Sequence, residues 1–234
     1  MKTPLAKIES FDETIWDKKI PPNCHVIRDE VILELCKDKS VLHLGAADAP
    51  FHKEKGGKGK LLHQKLKPIV KNIVGVDVDK EAVEWLKANC NIDDIIVSDA
   101  SSSENLKEMH FDIVLCCDII EHVSDADGLL KTCIQNMNSD TRLLLTTINA
   151  TAIKIGLRAL AGREAVHQDH VAYYSYSTLC KLLVSHGLVP ESVGFFSYGT
   201  VTYVAKIIFG ILHKISSASD DGIMLLARLK STSS

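Results

Sequence analysis

In the run Asp118-Ile119-Ile120-Glu121-His122, two acids and an imidazole fall at i, i+3 and i+4, the spacing that puts them on one face if a helix begins here. Such a face moves protons, because a neutral imidazole takes one up near pH 7. His122 is therefore the first candidate base, with Glu121 beside it, and His170 and His167 come next. Two other readings use the same residues. Glu121 and His122 would simply cap a helix, or the two carboxylates and one or two imidazoles would hold a divalent cation, Mg²⁺, Mn²⁺ or Zn²⁺, which residue type alone does not choose among. Small and acidic residues recur upstream, in Gly45-Ala46-Ala47-Asp48-Ala49-Pro50, at Asp77 and in Ser98-Asp99-Ala100.

The segments that carry these residues have a common form. VLHLG (41–45), NIVGVDV (72–78), DIIVSDA (94–100), FDIVLCC (111–117) and RLLLTTI (142–148) are apolar, β-branched runs of strand length. Strands apolar on both faces belong to a parallel sheet covered by helices. Helical spacing at 29–36, 80–89 and 128–137 supplies the cover, so the expected fold is α/β, a Rossmann-like doubly wound sheet. After residue 148 the pattern predicts helices over 152–160 and over 177–186, the latter opened by a Ser, and strands over 188–196 and 223–229. We read residues 1–234 as one domain with a helical lead-in (1–40), an insertion (51–67) and a substrate-covering elaboration (150–222).

In an open parallel sheet the ligand crevice lies beyond the carboxyl ends of the strands, where each small or acidic cluster falls. A small-residue turn lets a backbone approach a cofactor closely, and a strand-end acid accepts from ribose hydroxyls. The order of these features points to a nucleoside-type cofactor. The motifs VLHLGAADAP, IVGVDVD, VSDA and FDIVLCCDIIEHV resemble those of the class I S-adenosylmethionine-dependent methyltransferases. The last is similar to the E-x-L-E-H-V segment of the branch containing ubiquinone-biosynthesis O-methyltransferases and small-molecule or sugar methyltransferases, and residues 170–188 continue the likeness.

That resemblance implies a seven-stranded sheet ending in an antiparallel strand, and S-adenosylmethionine as cofactor with S-adenosylhomocysteine as product. It implies Gly45, Ala46 and Ala47 facing the methionine portion, Asp77 and the adjoining Val78 at the ribose, Asp99 and Ala100 at the adenine, and Asp118 near the methionine end. Asp118, Glu121 and His122 with a distal histidine are also similar to the metal-binding pattern of small-RNA 2′-O-methyltransferases. Two departures stand out. Ala replaces the second and third glycines of the usual G-x-G-x-G, so the loop takes a shape Ala allows or binds more weakly, and His43 stands where the family often has an acid.

The composition sets limits on this reading. With 27 Lys and Arg against 30 Asp and Glu, the net charge of -3 disfavours a broad nucleic-acid-binding face. Seven cysteines with no Cys-x-x-Cys spacing suggest neither a disulfide framework nor a zinc finger. The N-terminal stretch lacks an apolar signal core, so a cytoplasmic location is expected. The absence of a G-x-G-x-x-G fingerprint argues against a dinucleotide-binding dehydrogenase, and residues 56–60 lack the spacing of a P-loop.

Asp77 follows Gly45 by 32 residues, where such folds usually need about 20. The surplus, 51–67, holds Lys53, Lys55, Lys58, Lys60, Lys65 and Lys67 against Glu54 alone, and reads as a solvated mobile loop or a lid that draws in an anionic acceptor. Residues 201–215 are apolar almost all round, either packed on the domain or making peripheral membrane contact. The expected function is O-methylation of a small molecule, saccharide or glycolipid precursor. The alternatives are a metal-assisted RNA methyltransferase and a non-catalytic binding protein on the same fold.

Overall fold

The computed structural model describes residues 4–12, 14–15, 17–101, 109–198 and 217–231. Eight strands form one sheet: β1 (Ala6–Lys7), β2 (Ser40–Leu44), β3 (Asn72–Asp77), β4 (Ile95–Val97), β5 (Ile113–Cys117), β6 (Arg142–Ile148), β7 (Leu188–Phe196) and β8 (Gly222–Leu229). Their order is β1-β7-β8-β6-β5-β2-β3-β4. The run from β4 to β6 is parallel, and β8 enters antiparallel to both β6 and β7. This is the doubly wound arrangement expected from the sequence, with one strand more than seven. Ala6 and Lys7 pair antiparallel with Val193 and Ser192 on the outer edge of β7, and two residues are too few to leave a periodic signal.

Among the described residues seven α-helices accompany the sheet: α1 (Arg28–Cys36), α2 (His52–Gly56), α3 (Leu62–Leu66), α4 (Lys80–Cys90), α5 (Ala126–Gln135), α6 (Ile153–Leu160) and α7 (Tyr176–Ser185). Alternation along the strands divides the core. Leu42, Leu44, Val114, Cys116, Leu143 and Leu145 meet Leu129 and Cys133 of α5 and Leu179 and Leu183 of α7. Val41, Ile113, Leu115 and Leu144 face Val31, Ile32 and Cys36 of α1 on the opposite side. Each such side chain taken out of water stabilises the fold by about 1.5–3 kcal/mol before entropy is counted.

Polar residues at the strand ends fix where the helices start. Asp79 accepts from Ala82 N–H at 2.9 Å to open α4, and Asp125 accepts from Gly128 N–H at 2.9 Å to open α5. The helix expected at 177 opens earlier, because Ser175 rather than Ser177 forms a capping box with Thr178.

The insertion is helical rather than a loop. It folds as α2 and α3, with His52, Leu61, His63 and Leu66 buried, because its apolar side chains reach α4, α1 and the sheet. Residues 201–215 lie outside the described residues. No helix among the described residues is long and apolar enough to cross a membrane. All seven cysteines are free thiols, and six are buried.

Candidate functional site

The carboxyl ends of β2, β3 and β5 meet where the strand order reverses on either side of β2. Gly45 leaves β2 at φ +71°, and an added Cβ would lie 2.7 Å from the Ile119 side chain. Only glycine meets both demands. Ala47 and Ala49, at the second and third glycine positions, are not at positive φ, which Asp48 between them takes instead at +55°, so the loop has a shape those alanines allow; Ala46 and Ala47 are buried. Space for Ala46 comes from Gly75 on β3, where a Cβ would stand 2.8 Å from that of Ala46.

Asp77, at the end of β3, holds this loop. Its carboxylate accepts from Ala47 N–H at 2.8 Å and from Asp79 N–H at 3.0 Å, and each oxygen keeps a lone pair for a ligand hydroxyl. Val78 beside it is 72% exposed. Asp99 is exposed beyond β4 and accepts from Ser101 N–H at 2.8 Å, while Ala100 packs at the margin of the core.

The expected helical face of Asp118, Glu121 and His122 does not form. Asp118 has φ +53°, residues 120–122 make a turn, and α5 begins only at Ala126. The turn sends the three side chains in different directions. Asp118 accepts from Arg28 at 2.7 Å, Thr146 Oγ1 at 2.8 Å and the Tyr198 hydroxyl at 2.8 Å. Glu121 is buried, with Oε2 unpartnered among the described residues. Burial first, and the Asp118 charge second, push its carboxyl up to about 7. His122 faces outward. The two carboxylates and His122 therefore do not converge as a cation site.

What does converge is a group of imidazoles. His122, His167 and His170 each offer a ring nitrogen, all within 4.8 Å of one another, an arrangement open to a small cation. The His122 and His170 rings are 4.5 Å apart, and the His170 ring stands 6.1 Å from Tyr173. Backbone bonds bring the distal histidines here, since Val171 N–H donates to the Glu121 carbonyl at 2.8 Å. His122 Nδ1 lies 3.2 Å from the Asp169 carbonyl, which sets Nδ1 as the donor and leaves Nε2 free to accept. Partial burial first, and the neighbouring imidazoles second, lower the His170 pKa.

Most of the insertion's positive charge is already matched. Lys53, Lys55, Lys58, Lys65 and Lys67 pair with Glu81, Asp48, Glu54, Asp29 and Asp94 at 2.6–3.2 Å. Of these six lysines, Lys60 alone lacks a carboxylate partner among the described residues. Beneath them, His43 Nδ1 and His63 Nδ1 are 3.2 Å apart in the interior, and His63 Nε2 reaches Asp94 at 3.1 Å. One proton per ring satisfies both contacts, and burial holds both imidazoles below their ordinary pKa. His43, unexpected at the end of β2, thus has its partner on α3.

Arg28, Thr146 and Tyr198 hold Asp118, yet for Arg28 and Thr146 the sequence carried no signal. Arg28 precedes Asp118 by 90 residues on an ordinary helical segment.

Residues 25–193 match the model of a family described as a methyltransferase domain. Over 176 residues the chain is 27% identical to a ubiquinone biosynthesis O-methyltransferase of Pelagibacter ubique, covering 70% of this chain and 72% of that protein. It is 28% identical over 153 residues to a protein of the same name from Mesorhizobium japonicum, spanning 59% of that protein and 62% of this chain. A SAM-dependent methyltransferase from Archaeoglobus fulgidus superposes with a TM-score of 0.57 at 16% identity, covering 86% of this chain and 91% of that one. The N-methyltransferase NodS from Bradyrhizobium japonicum, solved with S-adenosyl-L-homocysteine, gives 0.53 at 13%, covering 87% and 86%. At these identities the two structures speak to the fold.

Proposed function

The chain belongs to the methyltransferase-domain family and is an S-adenosylmethionine-dependent methyltransferase, and from that premise we propose that it methylates an oxygen of a small molecule or saccharide beside the His122 and His170 rings. The observation that carries this reading is the meeting of a loop pinned by Asp77 with an outward-facing imidazole pair at the same end of the sheet. The relatives named as O-methyltransferases support oxygen as the acceptor atom.

Bound S-adenosylmethionine would supply an electrophilic methyl, to which the acceptor oxygen bonds in line as the sulfur leaves with the electron pair of the broken C–S bond. The chain's residues would hold the reactants for that step. Gly45, Ala46 and Ala47 bring backbone close to the methionine portion, and Asp77 takes the ribose hydroxyls through its remaining lone pairs, with Val78 alongside. Asp99 and Ala100 border the adenine, and Asp118, neutralised by Arg28, stands near the methionine end. Alignment supplies most of the rate.

The acceptor's proton passes to His122 Nε2, with His170 as its neighbour in the cluster. Glu121, its carboxyl poised near neutrality, adjusts the charge behind them. The matched lysines on the insertion favour a small acceptor over a polyanion such as RNA, since few unpaired cations remain there to meet phosphates.

Incubation with methyl-labelled S-adenosylmethionine and a panel of phenols, sugars and amines tests the reading by mass spectrometry of the products. Label on oxygen is expected. Label confined to the amines would overturn it.

A further inference from the structure

Next to the imidazole cluster, α6 and the segment after it enclose a cleft of about 510 Å³, a size that suits a small ligand. Its apolar wall includes Ile155, Ala159 and Val166, with Tyr173 on the side that meets His170. Arg158 and Arg163 line the same cleft, and neither has a carboxylate partner among the described residues. Glu164 also borders it, without an ion pair to either guanidinium among those residues. Two exposed guanidiniums beside an apolar wall match a ligand with a carboxylate or phosphate on an apolar body, because the planar fork donates two parallel hydrogen bonds to either group.

The outer face of α6 extends the apolar surface. No residue of the helix is buried, and Leu157 and Leu160 are 57% and 87% exposed. They line a second cleft, of about 450 Å³, which shares Ala150 and Ile155 with the first. An anionic end held by the arginines would leave an apolar chain room to run between the two.

We propose that Arg158 and Arg163 bind the anionic end of an amphiphilic methyl acceptor, so that this cleft selects the substrate. The proposal rests on the small-molecule acceptor reading. Tyr173 connects the two sites, since its ring lines the cleft and stands 6.1 Å from His170, whose ring is 4.5 Å from that of His122. Tyr173 therefore borders both the cleft that holds the arginines and the imidazole cluster.

Calorimetry on the full chain, with dodecyl phosphate and dodecanol as monomeric probes, tests this. The wild type is expected to bind the phosphate at least about tenfold more tightly than the alcohol, and Arg158→Gln and Arg163→Gln to lose about tenfold each for the phosphate only. Equal affinity for the two probes, or variants that bind the phosphate as the wild type does, would overturn it. Flotation with phosphatidylglycerol vesicles separates the sources of the anion: a wild type that floats yet ignores monomeric dodecyl phosphate assigns the arginines to a lipid surface instead. S-adenosylhomocysteine titrations on the same proteins report on the methyltransferase reading separately, because a wild type that fails to bind it contradicts that reading whatever the arginines do.

Discussion

The loops at the ends of β2, β3 and β5 and the segment from α6 to Tyr173, which come together at the His122 and His170 rings, are built in opposite ways. In the first, Ala46, Ala47 and Glu121 are buried, backbone N–H groups are held by Asp77, and Asp118 has three partners. In the second, α6 buries nothing, and two arginines stand unpaired among the described residues. The contrast teaches where change is tolerated. Ala46 and Ala47 of the proposed cofactor loop are also core residues, so altering them disturbs fold and binding together, whereas the proposed acceptor side can vary its chemistry at little cost in stability.

The sharpest probe of this contrast sits on the boundary. His122→Ala removes the proposed base from an exposed position, so kcat should fall by about 10²–10⁴-fold with the melting temperature and S-adenosylhomocysteine affinity near wild type. A rate within threefold of wild type would move the base elsewhere. Gly45→Ala probes the buried side. With φ at +71° and Ile119 2.7 Å from the new Cβ, a loss of about 1–3 kcal/mol in chemical denaturation is expected, together with weaker S-adenosylhomocysteine binding. A variant that keeps both would show that the loop is not rigid.

Acidification tests the buried side without mutation. His43 is faced by His63 and Arg28, and His63 by Asp94 and Lys67. Both imidazoles have a folded pKa below the unfolded value of about 6.5, so the unfolded chain binds more protons at acid pH. Their contribution is present in full above that value and is lost as pH falls below it toward the folded pKa values. Denaturation midpoints from pH 7.5 to 5.5 should decline, and His63→Gln should flatten the decline. An unchanged slope in that variant would assign the acid sensitivity to other groups. The smallest effect belongs to the acceptor side: Leu160→Ser, at an 87% exposed position, should change stability by no more than about 0.5 kcal/mol. A larger loss in thermal denaturation would mean that α6 is covered.

Strand runs were legible because both faces of the parallel strands are buried, which leaves continuous apolar segments such as LLL at 143–145. The strand-end acids were legible as well, since a turn after a strand has few residue types to choose from. The turn at 118–122 was misread for a local reason. Its i, i+3, i+4 spacing is helical, but Asp118 sits at positive φ and Asp125 supplies the cap that starts the helix later. The helical form of the insertion was not legible, because lysine count hides the few apolar and histidine positions that dock it.

By itself the sequence determined the doubly wound sheet, the order of its strand-end loops and the kind of cofactor they suit, because periodicity and turn chemistry are local properties of the chain. The tertiary structure decided the partnerships. That Arg28 neutralises Asp118, that His63 answers His43, and that His167 and His170 come to stand beside His122 all depend on contacts between segments about 20–90 residues apart, and no local pattern encodes which distant segment will fill a given space.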